Sequence, residues 1–204
     1  MAEARGGVGL ILMGWRGQLS TRRVSGSVVK DVVHGAPCDV AVLRDRGVTE
    51  GDIRDILVPI GGGPHARLAL RLAWDVAEAE GGSLILVRIF PEPEDVCEVE
   101  MDVLRQLVED ELGTVPEEIT FRLRCRESVA EGILEEASQT DENYDLIVIG
   151  ASEEWFLRDL LFGSIPDRVA DRVSCSVLMV RKYEPASVSW LRRIIKRSLH
   201  RGGD

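Results

Sequence analysis

Residues 144–181 read YDLIVIGASEEWFLRDLLFGSIPDRVADRVSCSVLMVR, and this stretch decides the fold. An apolar, β-branched run, Tyr144–Gly150, ends on a glycine. A Gly-Ser pair, Gly163-Ser164, opens a helical stretch, and a second apolar run, Cys175–Val180, closes the unit. Both runs are apolar on two sides, as strands are when helices cover each face of a parallel sheet. The same unit occurs earlier in the chain. GLILMG at 9–14 matches DLIVIG at 145–150 at an offset of 136. Gly26-Ser27 through Arg44 then aligns without a gap on Gly163-Ser164 through Arg181 at an offset of 137, with Val32, Cys38 and Val40 recurring as Val169, Cys175 and Val177. Residues 8–44 are therefore read as a second copy of the terminal strand-loop-helix-strand.

Between the two copies lie further buried-strand patterns at Ile53–Ile60, Ser83–Phe90 and Ile119–Cys125, and Cys38–Leu43 is the closing strand of the first copy. Helices are expected between them. Pro64–Glu80 has proline in its first turn and stops at Gly81-Gly82. Asp95–Leu112 is expected to bury Val96, Val99, Val103 and Leu107. Ser128–Ser138 is expected to bury Val129, Ile133, Leu134 and Ala137, with Ser128 and Glu131 as a capping box. The alternation predicts an α/β fold: an open, doubly wound parallel sheet with helices on both faces, plus a partial second copy. The organisation read from this is a partial repeat at 1–44, a polar linker at 45–52, a complete domain at 53–181 and a C-terminal tail at 182–204.

The net charge is −10, which disfavours nucleic acid as a partner. Cys38, Cys97, Cys125 and Cys175 have no CxxC spacing, so no zinc site is expected. They read as buried small apolar residues in a reducing compartment. No apolar run has the length of a membrane span and residues 1–9 lack a signal-peptide pattern, so a cytoplasmic protein is expected.

Glycines follow the first strand of each repeat. The loops run Gly14-x2-Gly17-x8-Gly26-Ser27 and Gly150-x2-Glu153-x9-Gly163-Ser164. Such glycines permit positive φ and close approach to the backbone, and a Gly-Ser at a helix start offers N–H groups and a hydroxyl to a phosphate. With ILVPI at 56–60 and C-x-V-L-M-V at 175–180, these loops resemble the universal stress protein family. The resemblance implies a five-stranded sheet in the order 3-2-1-4-5. It also implies antiparallel pairing of strand 38–43 with strand 175–180, and binding of ATP or AMP by some members. The nucleotide site it implies comprises Gly150, Ser152, Glu153, Gly163, Ser164 and Ile165 with Gly61, Gly62 and Gly63. In the shorter copy the matching residues are Gly14, Gly17, Gly26 and Ser27.

The chain departs from that pattern. Position 61 is glycine where the resemblance implies a nucleoside-binding Asp. Position 153 is glutamate where it implies glycine, and Glu154 follows. Each carboxylate repels a triphosphate by ~1 kcal/mol or more at short range, offset in part by Arg158. The shorter copy keeps its glycines, with Arg16, Arg22 and Arg23 nearby, but its spacer is one residue short. Neither copy carries a complete site, so no cofactor is required, although ATP or AMP is possible.

Gly61-Gly62-Gly63-Pro64-His65 is either a small-anion loop or a strand-to-helix turn with proline in the first helical turn. It also resembles the GGGPH form of universal-stress domains attached to amino-acid or cation transporters, which implies a transporter-linked regulatory module. Residues 187–204 carry a net charge of +4 around a stripe of Trp190, Leu191, Ile194, Ile195 and Leu199. The pattern predicts a basic amphipathic helix suited to the inner membrane face, to the acidic body of the protein or to a partner subunit. His34, His65 and His200 are scattered, and acidic pairs such as Glu117-Glu118, Glu135-Glu136 and Glu153-Glu154 read as solvated faces. Neither a nucleophile triad nor a Gly-Lys-Ser/Thr loop is present, so catalysis is not expected. The expected roles are a regulatory or assembly module that self-associates or docks a tandem domain, a nucleotide sensor, or a membrane adaptor. The apolar strand 9–14 would be an edge requiring cover by another chain or by further sequence.

Overall fold

The computed structural model describes residues 8–15, 28–48, 51, 53–91, 97–138, 143–152 and 161–185. Gly17, Gly26, Ser27, Glu153, Glu154, Arg158 and the tail at 187–204 lie outside them. Twelve elements follow in order: β1 (Leu10–Gly14), α1 (Val28–Gly35), β2 (Asp39–Arg44), β3 (Asp55–Pro59), α2 (Gly63–Glu80), β4 (Ser83–Phe90), α3 (Cys97–Leu112), β5 (Ile119–Cys125), α4 (Val129–Ala137), β6 (Leu146–Gly150), α5 (Ser164–Arg172) and β7 (Ser176–Arg181).

The strands form one seven-stranded sheet in the order β1-β2-β7-β6-β3-β4-β5, seven strands where five were expected, and the antiparallel pairing expected of strand 38–43 with strand 175–180 is present. The cause is the pairing of β2 with β7. Each would be a bare edge within its own unit, and each satisfies the other's N–H and C=O groups by pairing antiparallel, Val40 opposite Arg181 and Arg44 opposite Val177. The sheet is therefore mixed, since the other ladders are parallel.

The two copies share their register as well as their sequence. Leu10 pairs with Asp39 in one, and Leu146, at the offset of 136, pairs with Ser176 in the other. Side chains cross the β2–β7 seam reciprocally. Arg181 Nη2 donates to the carbonyls of Ala36 (3.0 Å) and Cys38 (2.8 Å). Its counterpart Arg44 donates through Nη1 to Ala170 O (2.5 Å) and Asp171 Oδ1 (2.7 Å). Burial lowers the Arg181 pKa. At the strand ends the Tyr183 N–H donates to Asp39 (2.7 Å), as the Arg46 N–H donates to Ser176 Oγ (2.8 Å).

The core has two layers. α2 and α3 cover one face of the sheet through Leu68, Leu70, Ala73, Leu104 and Val108. α1, α4 and α5 cover the other through Val33, Ile133 and Val169. Three expectations are corrected here. α3 buries Leu104, Leu107 and Val108, and leaves Val99 and Val103 exposed. Its inward stripe includes Glu100 and Glu111, which pair with Arg88 and with Arg67 and Arg71, so a purely apolar reading rotates the helix. Glu136 is 0% exposed rather than solvated. Arg122 and Arg124 bond its carboxylate, each at 2.7 Å, and the Tyr144 hydroxyl does so at 3.1 Å. Cys125 is exposed, because it ends the edge strand β5, whereas Cys38 is buried and Cys175 half-buried. The side chain of Cys97 is outside the description.

Candidate functional site

The carboxyl ends of β3, β4 and β6 open onto one cleft of about 610 Å³. The chain leaves β3 towards β4 and β5, then returns to β6 on the other side of β3. Neighbouring connections thus diverge between β3 and β6, and the crevice left there is where open α/β sheets take ligands. The walls are apolar, from Ile89 and Phe90 of β4, Ile149 of β6, Ile133 of α4 and Ile165 of α5.

Two helices start at this cleft. The N-cap of α2 is Gly62 (φ 90°) and that of α5 is Gly163 (φ 116°), and neither helix has a side-chain cap. α4, by contrast, is capped by Ser128, whose hydroxyl accepts from the Glu131 N–H at 3.4 Å. Gly62 and Gly63 have positive φ and nothing within 4 Å of an added Cβ, so conformation rather than crowding requires glycine there. The loop is the strand-to-helix turn, with proline in the first helical turn, and Gly61 and Gly62 line the cleft. At Gly163 the positive φ requires glycine as well, and crowding adds to it, since an added Cβ would fall on the Ser152 side chain.

The described ends of the connection between β6 and α5 are bonded to each other and to α5. Ser152 N donates to Phe162 O at 2.8 Å. Asp167 accepts from the Leu161 N–H at 2.7 Å and the Phe162 N–H at 2.9 Å. Burial pushes the Asp167 carboxyl up to about 6, against the lowering effect of those two N–H groups; Asp171 adds to the rise and Lys30 opposes it. On the other side, Gly150 lets the first turn of α2 pack directly on the end of β6. His65 in that turn is buried, and its Nδ1 accepts from the Lys182 N–H at 3.0 Å, which ties α2 to the end of β7.

Gly61, Gly62, Gly150, Ser152 and Ile165 thus border the cleft, with Gly63, Gly163 and Ser164 at the two helix starts. Gly14 is not with them. β2 runs antiparallel to β7, so the end of β1 lies level with the start of β7, at the opposite edge of the sheet. Arg88 and Glu100, which also line the cleft, were not expected. The available signal was a lone charge within the strand SLILVRIF.

The sequence model of the universal stress protein family matches residues 2–44 and 52–181. A universal stress protein of Mycolicibacterium smegmatis is 27% identical over 184 residues, covering 84% of this chain and 61% of that protein. The chain spans less than two thirds of the length of the curated relatives it matches, 61% and 65% of two of them. A crystal structure of a universal stress protein from Archaeoglobus fulgidus superposes with a TM-score of 0.62 at 20% identity, over 89% of this chain and 64% of that one. A second universal stress protein, crystallised in complex with cAMP, gives 0.53 at 23% identity, over 63% of this chain and 97% of that one. The match extends through the complete β3-to-β7 unit and through the shorter β1-to-β2 copy, and the chain therefore belongs to the universal stress protein family.

Proposed function

We propose that the cleft binds a nucleotide and that the protein is a regulatory module that senses this ligand without turning it over. The supporting observation is the pair of glycine-capped helix starts, α2 and α5, that face one apolar cleft with no side chain of their own capping them. Uncapped N–H groups and the positive helix ends suit phosphate, and the apolar walls suit a base. Titration calorimetry with ATP, AMP and cAMP, the last chosen because one solved member holds it, tests the reading. Micromolar binding that weakens in Ser164→Ala is the expected result; no binding to any of the three overturns it.

A second reading is favoured by one edge of the sheet. β1 presents Leu12 at 65% exposure, whereas the opposite edge, β5, carries Arg122 and Arg124. Charged edges resist strand addition and apolar ones invite it, so β1 is read as an assembly edge for a second copy or a tandem domain. Light scattering after size exclusion should give a mass above the monomer, and a clean monomer at high concentration refutes this. The transporter link suggested by GGGPH, and a membrane role for residues 187–204, belong to the same regulatory reading. Liposome flotation with and without the tail tests the membrane role, and flotation that persists without the tail counts against it.

A further inference from the structure

Arg88 and Glu100 are the two charged side chains among the described residues lining the cleft, and they are bonded to each other. Arg88 Nε donates to Glu100 Oε2 at 2.7 Å, and Arg88 Nη1 donates to Ile60 O at 3.3 Å. Both side chains are largely withdrawn from solvent, at 23% and 20% exposure. An apolar residue at position 88 would continue the strand SLILV-IF and remove the desolvation cost of the pair, so packing alone does not account for it.

The placement is specific. Ile60 ends the β3 side and precedes Gly61, which has no side chain to offer a ligand. Arg88 reaches to that carbonyl from β4, and Glu100 comes from α3 on the far side of Arg88. Among the described residues, these bonds use two of the five N–H donors of the guanidinium and one of the two oxygens of the carboxylate. The pair therefore presents a donor–acceptor edge of no net charge. Such an edge does not compete with the helix starts for phosphate, but it matches a neutral hydroxyl or amino group at the other end of a nucleotide.

We infer that the Arg88–Glu100 pair is the specificity element of the cleft: Glu100 accepts from a hydroxyl or amino group of the bound nucleoside, and Arg88 holds the carboxylate in position. This rests on the nucleotide reading of the cleft. The two donor sources are a ribose hydroxyl and the exocyclic amine of the base.

The test is calorimetry on the full chain with ATP, 2′,3′-dideoxy-ATP and inosine triphosphate. The wild type should bind one analogue about tenfold or more weakly than ATP, the usual scale of a hydrogen bond to a charged group. Weak dideoxy binding identifies the ribose, and weak inosine binding identifies the amine. Glu100→Ala and Arg88→Leu should bring the affinities for the three to within a few-fold of one another. Glu100→Gln keeps the side-chain size, and so guards against loss of folding. It should weaken ATP several-fold while leaving the disfavoured analogue unchanged. Wild type that binds all three alike, or a Glu100→Ala protein that still discriminates, overturns the inference while nucleotide binding stands. Wild type that binds none of them overturns the nucleotide reading and this inference together.

Discussion

Gly150 and Gly14 occupy equivalent places in the two copies, yet alanine should be tolerated at one and not at the other. An added Cβ at Gly150 meets the main chain of α2: His65 C at 2.7 Å, Ala66 N at 2.8 Å and His65 O at 2.8 Å. Backbone cannot rotate away as a side-chain tip can. Restoring ordinary carbon contact requires the first turn of α2 to retreat by roughly 0.7 Å. Overpacking of this kind costs about 1–3 kcal/mol, which corresponds to a fall in Tm of roughly 3–10 °C for a chain of this length. At Gly14 an added Cβ has nothing within 4 Å, because the described residues place no helix over the end of β1. Gly14→Ala should therefore stay within about 0.5 kcal/mol of wild type. Urea unfolding followed by circular dichroism compares the two variants directly. Gly150→Ala should also weaken any cleft ligand, since the retreating turn carries Gly61 to Gly63 with it. Equal losses in the two variants, or a larger loss in Gly14→Ala, would refute the packing argument.

Other outcomes follow from single groups. Asp167 titrates at about 6 in the fold against 3.8 in a free chain, so the folded protein holds the extra proton; this group's contribution is fully present below about pH 4 and is lost as the pH rises through 6. Asp167→Asn should therefore flatten the stability profile across that window by on the order of 2–3 kcal/mol, read from urea midpoints at several pH values. An unchanged slope counts against the assignment. Glu136→Ala removes the buried acceptor of Arg122, Arg124 and Tyr144. It should cost about 3 kcal/mol, while Glu135→Ala, next to it on the exposed side, should cost under about 0.5 kcal/mol in the same denaturation assay. In native-state alkylation followed by peptide mapping, exposed Cys125 should react well before Cys38 and Cys175. Cys38 is shielded by burial, and burial pushes the Cys175 thiol up to about 11.

The sequence carried the strands well, because each is a short two-sided apolar run and the internal repeat fixed the end of one unit against the other. Ser83–Phe90 and Ile119–Cys125 appear with the expected bounds, and the rest shift by a residue or two at their ends. What periodicity could not supply was charge that faces inward. Glu100, Glu111 and Glu136 each sit where an apolar reading expects a solvated residue, because an arginine from another element meets them. Such pairing is non-local, separated by 12 to 44 positions in these cases, and leaves no local pattern. The glycines of the cleft were legible for the same reason the strands were: turn chemistry is local. Arg88 and Glu100 depend on how α3 packs back on β4, and Asp167 on a turn that folds its side chain onto two main-chain N–H groups, neither of which leaves a periodic pattern.

That order also determines how the two glycine loops can act. Pairing β2 with β7 antiparallel gives the molecule a pseudo-twofold relation, and such a relation turns the carboxyl ends of the two copies to opposite edges of the sheet. Gly14 therefore cannot supply what the Gly150 cleft lacks, however well the two loops match in sequence. On the proposed nucleotide reading, position 61 offers no side chain, and the charged side chains among the described residues of the cleft wall are Arg88 and Glu100 of the same β3-to-β7 unit. The proposed reading gives the acceptor role to the carboxylate carried in from α3 on an arginine of β4. On that reading the ligand cleft among the described residues lies within the β3-to-β7 unit. Calorimetric stoichiometry of one ligand per chain is the expected consequence.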